Sequence, residues 1–171
     1  MLTGLAPLVS PQTRLLILGS FPGVASLQAQ QYYGHPRNHF WPVLSAIFGC
    51  STYITCVNSY EMRSKRLLDK KLGVWDVYAS CEREGSLDTA IRGAELNDFS
   101  LLKQLCPDLQ AIAHNGGESF KQARHTLVLG LPVYKLPSTS PANASWSFER
   151  KLTAWREVFE RHGLLDNLVK W

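Results

Sequence analysis

A chain of 171 residues with 45% hydrophobic and 19% charged content is long enough to bury one core and too apolar to be a disordered tract. Its formal net charge of +4 suits an anionic partner such as nucleic acid, but an ordinary basic enzyme carries as much. No apolar run is long enough to cross a bilayer, and the first residues lack a basic-then-apolar leader, so no membrane association is expected and the cytoplasm is the expected compartment.

Met1 to Gln12, with Pro7 and Pro11, is expected to be irregular. Arg14–Leu18 is almost wholly apolar and stopped by Gly19, as in a buried parallel strand. A polar loop, Gly19–Arg37, follows. The pattern then turns helical at Phe40, with an apolar stripe at Phe40, Trp41, Leu44, Ile47 and Phe48. Ser51–Met62 has no clean period, and Arg63 to Lys71 is basic. Val74–Tyr78 reads as a second strand and Cys81–Glu95 as an irregular excursion. Asn97 to Cys106 reads as a helix stopped by Pro107. Leu109–Ala113 and Pro132–Leu136 read as the third and fourth strands. Helices are expected at about Glu118 to Thr126 and at Ser147 to His162.

Strands alternating with helices define a single α/β domain with helices on both sheet faces. Sites in such sheets lie at the carboxyl ends of strands. The loops expected to converge there are Gly19–Arg37, Tyr78–Cys81, His114–Gly117 and Pro137–Asn143.

These loops lack the glycine spacing of a dinucleotide site and the Lys-Ser/Thr of a phosphate loop. Ser20 lies outside a nucleophile elbow. Cys50, Cys56, Cys81 and Cys106 form no C-x-x-C pair, so free thiols are expected and neither a cofactor nor a metal cluster is. Aromatic and amide groups remain. Tyr33 beside Gly34 offers a flat face to a base. Asn38 either caps the helix, for about 1 kcal/mol, or orients a water near the positive helix end. Asn115 is either a turn residue or a functional amide. Asp76, inside an apolar strand, is either paired structurally or accepts a ligand N–H. The hydroxyl- and proline-rich loop Pro137–Asn143 is either a stiff turn or a phosphate contact. The basic cluster Arg63, Lys65, Arg66, Lys70 and Lys71 matters for DNA only if it shares the side of the four loops.

GSFPG (19–23), YYGHPRNHFW (32–41) and LPSTSPAN (136–143) resemble the uracil-DNA glycosylase superfamily, in particular its hypoxanthine-DNA glycosylase branch. GHPRNHFWPVL is also similar to the matching stretch of mismatch-specific uracil glycosylases. The resemblance implies a three-layer α/β/α sandwich around a four-stranded parallel sheet. It implies an enzyme that flips a deaminated base out of DNA and hydrolyses its N-glycosidic bond; a monomer is expected. Many relatives carry a water-activating Asp or Asn two residues after the first glycine. That position here is Phe21, and the hypoxanthine branch shares the departure. Asn38 then becomes the water-positioning residue and Asn115 a second functional amide. Ser138 stands where relatives carry a His or Asn that stabilises the departing base. Ser20, Phe21, Tyr33, Phe40 and Asp76 are expected around the base. Ser138, Thr139, Ser140, Ala142 and Asn143 are expected against the DNA backbone, with Ala142 or Asn143 near the gap left by the base. No lysine lies in the motif loops, so no Schiff-base lyase step is expected. Uracil excision and non-catalytic binding of damaged DNA are the competing readings, with hydrolysis of a free nucleoside as a third.

Overall fold

A computed structural model describes residues 1–49 and 59–165. Cys50, Cys56 and most of the ambiguous segment Ser51–Met62 lie outside the described residues.

The sheet grows from β2 (Leu15–Gly19), buried at every position. Its continuous apolar run has no polar face to give to water, so both faces must be covered. β3 (Leu72–Asp76), β6 (Ala111–Asn115) and β7 (Val133–Leu136) complete a parallel sheet of order β3-β2-β6-β7. Alternate residues point to opposite faces. Leu15, Ile17, Leu72, Val74, Ala111 and Ala113 pack with α2 (Phe40–Phe48), α3 (Tyr60–Asp69) and α7 (Phe148–Arg161). Leu16, Leu18, Trp75 and Ile112 pack with Phe21, Phe99 and Leu102 on the other face. The architecture is the expected α/β/α sandwich.

Helix ends follow local chemistry. α2 tolerates Pro42 in its first turn and stops at Gly49, whose φ is 61°. Ser147 caps α7 by accepting the Arg150 N–H at 3.2 Å. Trp155 of α7 donates its indole N–H to Pro137 O at 3.0 Å, tying the helix to the exit of β7.

Several expectations change. The leader is not irregular throughout. β1 (Leu2–Thr3) pairs antiparallel with β4 (Tyr78–Glu82), and Leu8 exchanges two backbone hydrogen bonds of 2.9 Å with Val74. The leader thus covers the open edge of β3, which would otherwise present unpaired backbone groups. The Cys81–Glu95 excursion is also ordered. β4 and β5 (Arg92–Leu96) form an antiparallel ribbon beside β1. All of β5 is exposed, so no buried face imposed a period on its sequence. Finally, β6 starts two residues later than expected and carries His114 and Asn115 inside the strand. His114 finds internal partners, Ser119 Oγ at 2.8 Å and Thr126 Oγ1 at 2.9 Å. Burial lowers its pKa to about 4, so the imidazole is neutral.

The expected helix after Asn97 is a 3-10 turn, Phe99–Leu101, running into α4 (Leu102–Leu105). The next splits into α5 (Gly117–Phe120) and α6 (Ala123–Leu127). Cys81 and Cys106 are buried free thiols. No residue of the basic cluster lines the cavity at the carboxyl edge. Arg63 is buried, its guanidinium 5.2 Å from the Trp41 ring centre. Lys70 and Lys71 precede β3, and Lys71 O accepts from Arg14 at the amino end of the sheet.

Candidate active site

The carboxyl ends of the four strands open on a cavity of about 840 Å³, within the range of ligand pockets. The strand ends Gly19, Asp76, Asn115 and Leu136 line it. The first loop, which carries α1 (Val24–Ala29), the Ser138–Asn143 loop and the β4–β5 turn form its walls. Of the expected convergence, the first loop, the Asn115 turn and the serine-proline loop are present. At β3 the lining comes from Asp76 itself and from Ser86–Thr89, not from Tyr78–Cys81.

Asn115 joins the walls. Its Nδ2 donates to Tyr33 Oη at 3.1 Å and to Thr139 Oγ1 at 3.0 Å, and its Oδ1 accepts the Thr139 N–H at 3.0 Å. Both amide hydrogens are spent on the protein. The side chain is a clamp between two loops, and the Tyr33 hydroxyl keeps its own proton to donate. The turn after Asn115 needs glycine. Gly116 has φ of 95°, and a Cβ there would lie 2.9 Å from Ser138 Cβ. His39 adds a second tie, its N–H donating to Thr139 O at 2.9 Å. The buried Lys151 ammonium sits 3.2 Å from His39 Nδ1, and burial lowers the pKa of both.

Asn38 is half committed. Its Oδ1 accepts the Phe40 N–H at 2.9 Å, so the capping role is real, although His39 occupies the formal cap position. One Oδ1 lone pair and the Nδ2 group remain available in the cavity that Asn38 lines. Cap and water-orienting roles do not compete for one electron pair.

Tyr33 also lines the cavity, from a left-handed backbone with φ of 55°. Its ring stacks on Phe40 with centres 4.0 Å apart and planes at 23°. Phe40 is fully buried and does not reach the cavity. The expectation that it walls the pocket is therefore corrected: it backs Tyr33, which does line the cavity. The Tyr33 phenol is pushed above its usual range, by burial first and by Asp76 next, so it stays a neutral donor.

Asp76 is buried, and its Oδ2 has no hydrogen-bond partner. Burial foremost, then the Asp88 carboxyl, raise its pKa to about 7, against a smaller opposite pull from Arg83. Near neutral pH both protonation states are populated. A Cβ at residue 19 would fall 2.5 Å from Asp76 Oδ1 and 3.1 Å from Tyr33 Oη, so Gly19 lets these two polar groups approach the strand. Ser20 Oγ donates to Asp88 Oδ1 at 2.7 Å. Burial likewise raises the Asp88 pKa. Phe21 lines the cavity as an apolar surface, with the Arg83 guanidinium 5.2 Å from its ring centre.

The serine-proline loop differs in part from expectation. Thr139 is fully buried, so it cannot press against a DNA backbone; its hydroxyl belongs to the Asn115 clamp. Asn143 Nδ2 donates to Ser138 O at 3.0 Å, bracing the loop from within. Ser138 Oγ accepts the Ser140 N–H at 3.1 Å, and Ser140 Oγ accepts the Ala142 N–H at 3.2 Å. Ser138, Ser140 and Ala142 line the cavity. Sequence reasoning missed Asp88, Leu87, Lys135 and Trp146, which also line it. Asp88 and Leu87 lay in the polar excursion, and only the ribbon pairing brings them to the first loop. Among the described residues no group of three or more His, Cys, Asp or Glu could hold a metal, and no helix is long and apolar enough to cross a membrane.

The carboxyl edge of the four-stranded parallel sheet thus carries a pocket lined by a half-free asparagine, a backed tyrosine and a carboxyl with an unpartnered oxygen. The profile of the Uracil DNA glycosylase superfamily matches residues 6–159, and the chain belongs to that family. It is 38% identical over 158 residues to the hypoxanthine DNA glycosylase of Methanosarcina barkeri, covering 92% of this chain and 98% of that protein. It is 37% identical over 159 residues to the hypoxanthine DNA glycosylase of Methanosarcina acetivorans, covering 93% and 98%. A solution NMR structure from Methanosarcina acetivorans, of a protein provisionally named a uracil DNA glycosylase, superposes with a TM-score of 0.83 at 35% identity. That match covers 94% of this chain and 98% of the other.

Proposed function

We propose that this chain is a monofunctional DNA glycosylase that releases hypoxanthine from deoxyinosine and leaves an abasic site. Family membership and the names of the two curated relatives support the reaction class and the base. The observation that carries the mechanism is Asn38, held by the Phe40 N–H yet retaining hydrogen-bonding capacity inside the cavity. Phe21 cannot orient a water, so the amide on the far side of the same loop takes that task.

The flipped base stacks on Tyr33. The Asp76 carboxyl and the Tyr33 hydroxyl meet its polar edge, and Ser138 stands by the departing base. Asn38 holds the water whose oxygen bonds to C1′ as the C1′–N9 bond breaks. The bond's electron pair leaves with the base, which takes up a proton. An amide is too weak a base to remove a proton early, so rate enhancement rests on positioning and on fixed dipoles. Ser140, Ala142 and the exposed Lys135 lie on the rim where a backbone would pass. The reading includes a monomer working on DNA in a reducing cytoplasm, which suits the buried free thiols Cys81 and Cys106.

A lesion-panel assay with deoxyinosine-, deoxyuridine- and deoxyxanthosine-containing oligonucleotides tests it. Strand scission after alkali at deoxyinosine is the expected result. A preference for deoxyuridine would favour the uracil reading, which the name of the solved relative supports. Binding to the panel without release of any base would leave a damaged-DNA-binding protein of the same fold.

A further inference from the structure

Lys151, in the first turn of α7, is only 1% exposed. Among the described residues the ion pairs are Lys121–Glu118 and Arg161–Glu157, so no carboxylate answers this ammonium. Its partner is His39 Nδ1 at 3.2 Å. An ammonium has only hydrogens to give, so Nδ1 accepts and the ring proton sits on Nε2. That Nε2–H has no partner among the described residues. His39 is half-buried, and its ring meets the Phe148 ring edge to face with centres 5.3 Å apart. A buried cation without a counter-anion costs stability, so stability does not account for Lys151.

The pair stands beside the cavity. Asn38 precedes His39, and Thr139 O accepts the His39 N–H at 2.9 Å; both Asn38 and Thr139 line the cavity. α2 starts at the residue after His39, so its positive end adds to the field there. A free N–H donor, a buried positive charge and a helix start all favour an anion, and the DNA backbone carries one at every nucleotide. We propose that His39 and Lys151 form a phosphate site. The His39 Nε2–H donates to a non-bridging oxygen of a phosphodiester near the lesion, and the Lys151 ammonium behind the ring supplies the opposing charge. Holding that phosphate sets the sugar against Asn38, one residue away. The inference rests on the DNA glycosylase reading.

Binding to a deoxyinosine duplex that 2′-fluorination protects from hydrolysis is the measurement. Lys151→Met should weaken it about tenfold and lower the slope of log affinity against log salt by about one. Neutral methylphosphonates, scanned one at a time along the lesion strand, should reveal the contact. At one position the replacement should weaken wild type about tenfold and Lys151→Met by less than about twofold. Lys151→Met should also resist urea better than wild type, because an apolar side chain replaces a buried charge. His39→Gln, whose amide still donates, should bind more tightly than His39→Phe. Unchanged affinity and salt slope in Lys151→Met, or a scan in which no phosphate distinguishes it from wild type, overturns the proposal and leaves base excision intact. If Lys151→Met does not fold, the same scan on His39→Phe and His39→Gln decides. A wild type that binds the duplex yet releases no base from unmodified lesions overturns the glycosylase reading, and the scan still judges the phosphate site. A wild type that does not bind DNA overturns both.

Discussion

Asn38 and Asn115 are the same side chain in similar places, each a short step ahead of a helix at the carboxyl edge of the sheet. Their hydrogen bonds set them apart. Asn115 spends its whole NH2 group and one carbonyl lone pair on Tyr33 and Thr139. Asn38 spends one lone pair on Phe40 and keeps the rest of its amide. A saturated amide can hold loops together and has little left for a substrate. A half-used amide is oriented by the fold and still able to bind. Each asparagine precedes a helix by two residues, so saturation, not distance from a helix start, separates clamp from candidate catalyst.

That contrast can be broken most directly at Asn38. Asn38→Ala should lower single-turnover excision by roughly 10²–10³-fold, the usual cost of losing one placed hydrogen-bonding group. Its stability loss should be only about 1 kcal/mol, the worth of a cap. Full activity with that same small loss would return Asn38 to the role of helix cap.

Asn115→Ala should show the reverse balance. Removing the amide strands the Tyr33 hydroxyl and both Thr139 groups, at about 3–5 kcal/mol in all. Urea unfolding measures it. A variant as stable as wild type would show that Asn115 is not the clamp its contacts describe.

Asp76 sharpens the comparison, because its carboxyl is buried and has no partner on Oδ2. Its folded pKa is raised to about 7, against ~3.9 in an unfolded chain. Between these values the folded protein retains a proton that the unfolded chain has released. Stability therefore falls as pH rises through that window, by on the order of 2–4 kcal/mol. Asp76→Asn does not titrate, so it should be more stable than wild type at pH 8 and lose the advantage near pH 4. Asp88 is shifted in the same direction and is coupled to Asp76, so the difference between the two proteins reports Asp76 together with that coupling. Parallel pH profiles for the two proteins would refute this account.

The smallest effect concerns the turn that aims Asn115. Gly116→Ala should cost about 1–3 kcal/mol, from a left-handed backbone and the crowding of Ser138. Excision should fall with it, since Ser138 lines the cavity. An unchanged melting temperature would mean that the serine-proline loop moves freely relative to Asn115.

Much of this fold is legible along the chain. β2, β3 and β6 are buried at every position and read as short, largely apolar runs, the pattern that burial on both faces imposes. The helix stripes of α2 and α7, and the crowding of polar side chains into loops after strands, follow from the same demand. The glycines at 19 and 116 mark places where backbone and polar groups come close. What one dimension does not carry is partnership. The bond from Asn115 to Tyr33 joins residues 82 apart, and that from Ser20 to Asp88 joins residues 68 apart. The exposed strand β5 leaves no periodic trace, so the ribbon that brings Leu87 and Asp88 to the cavity was invisible.

The sequence by itself determined the three-layer frame and the loops that hold the chemistry, because burial writes its period into neighbouring residues. Only the tertiary structure decided that Phe40 backs Tyr33, that Thr139 faces inward, and that Asn115 is saturated while Asn38 is not. Hydrogen-bond saturation and ring stacking are properties of groups distant in the chain, and they exist only once the sheet has brought those groups together.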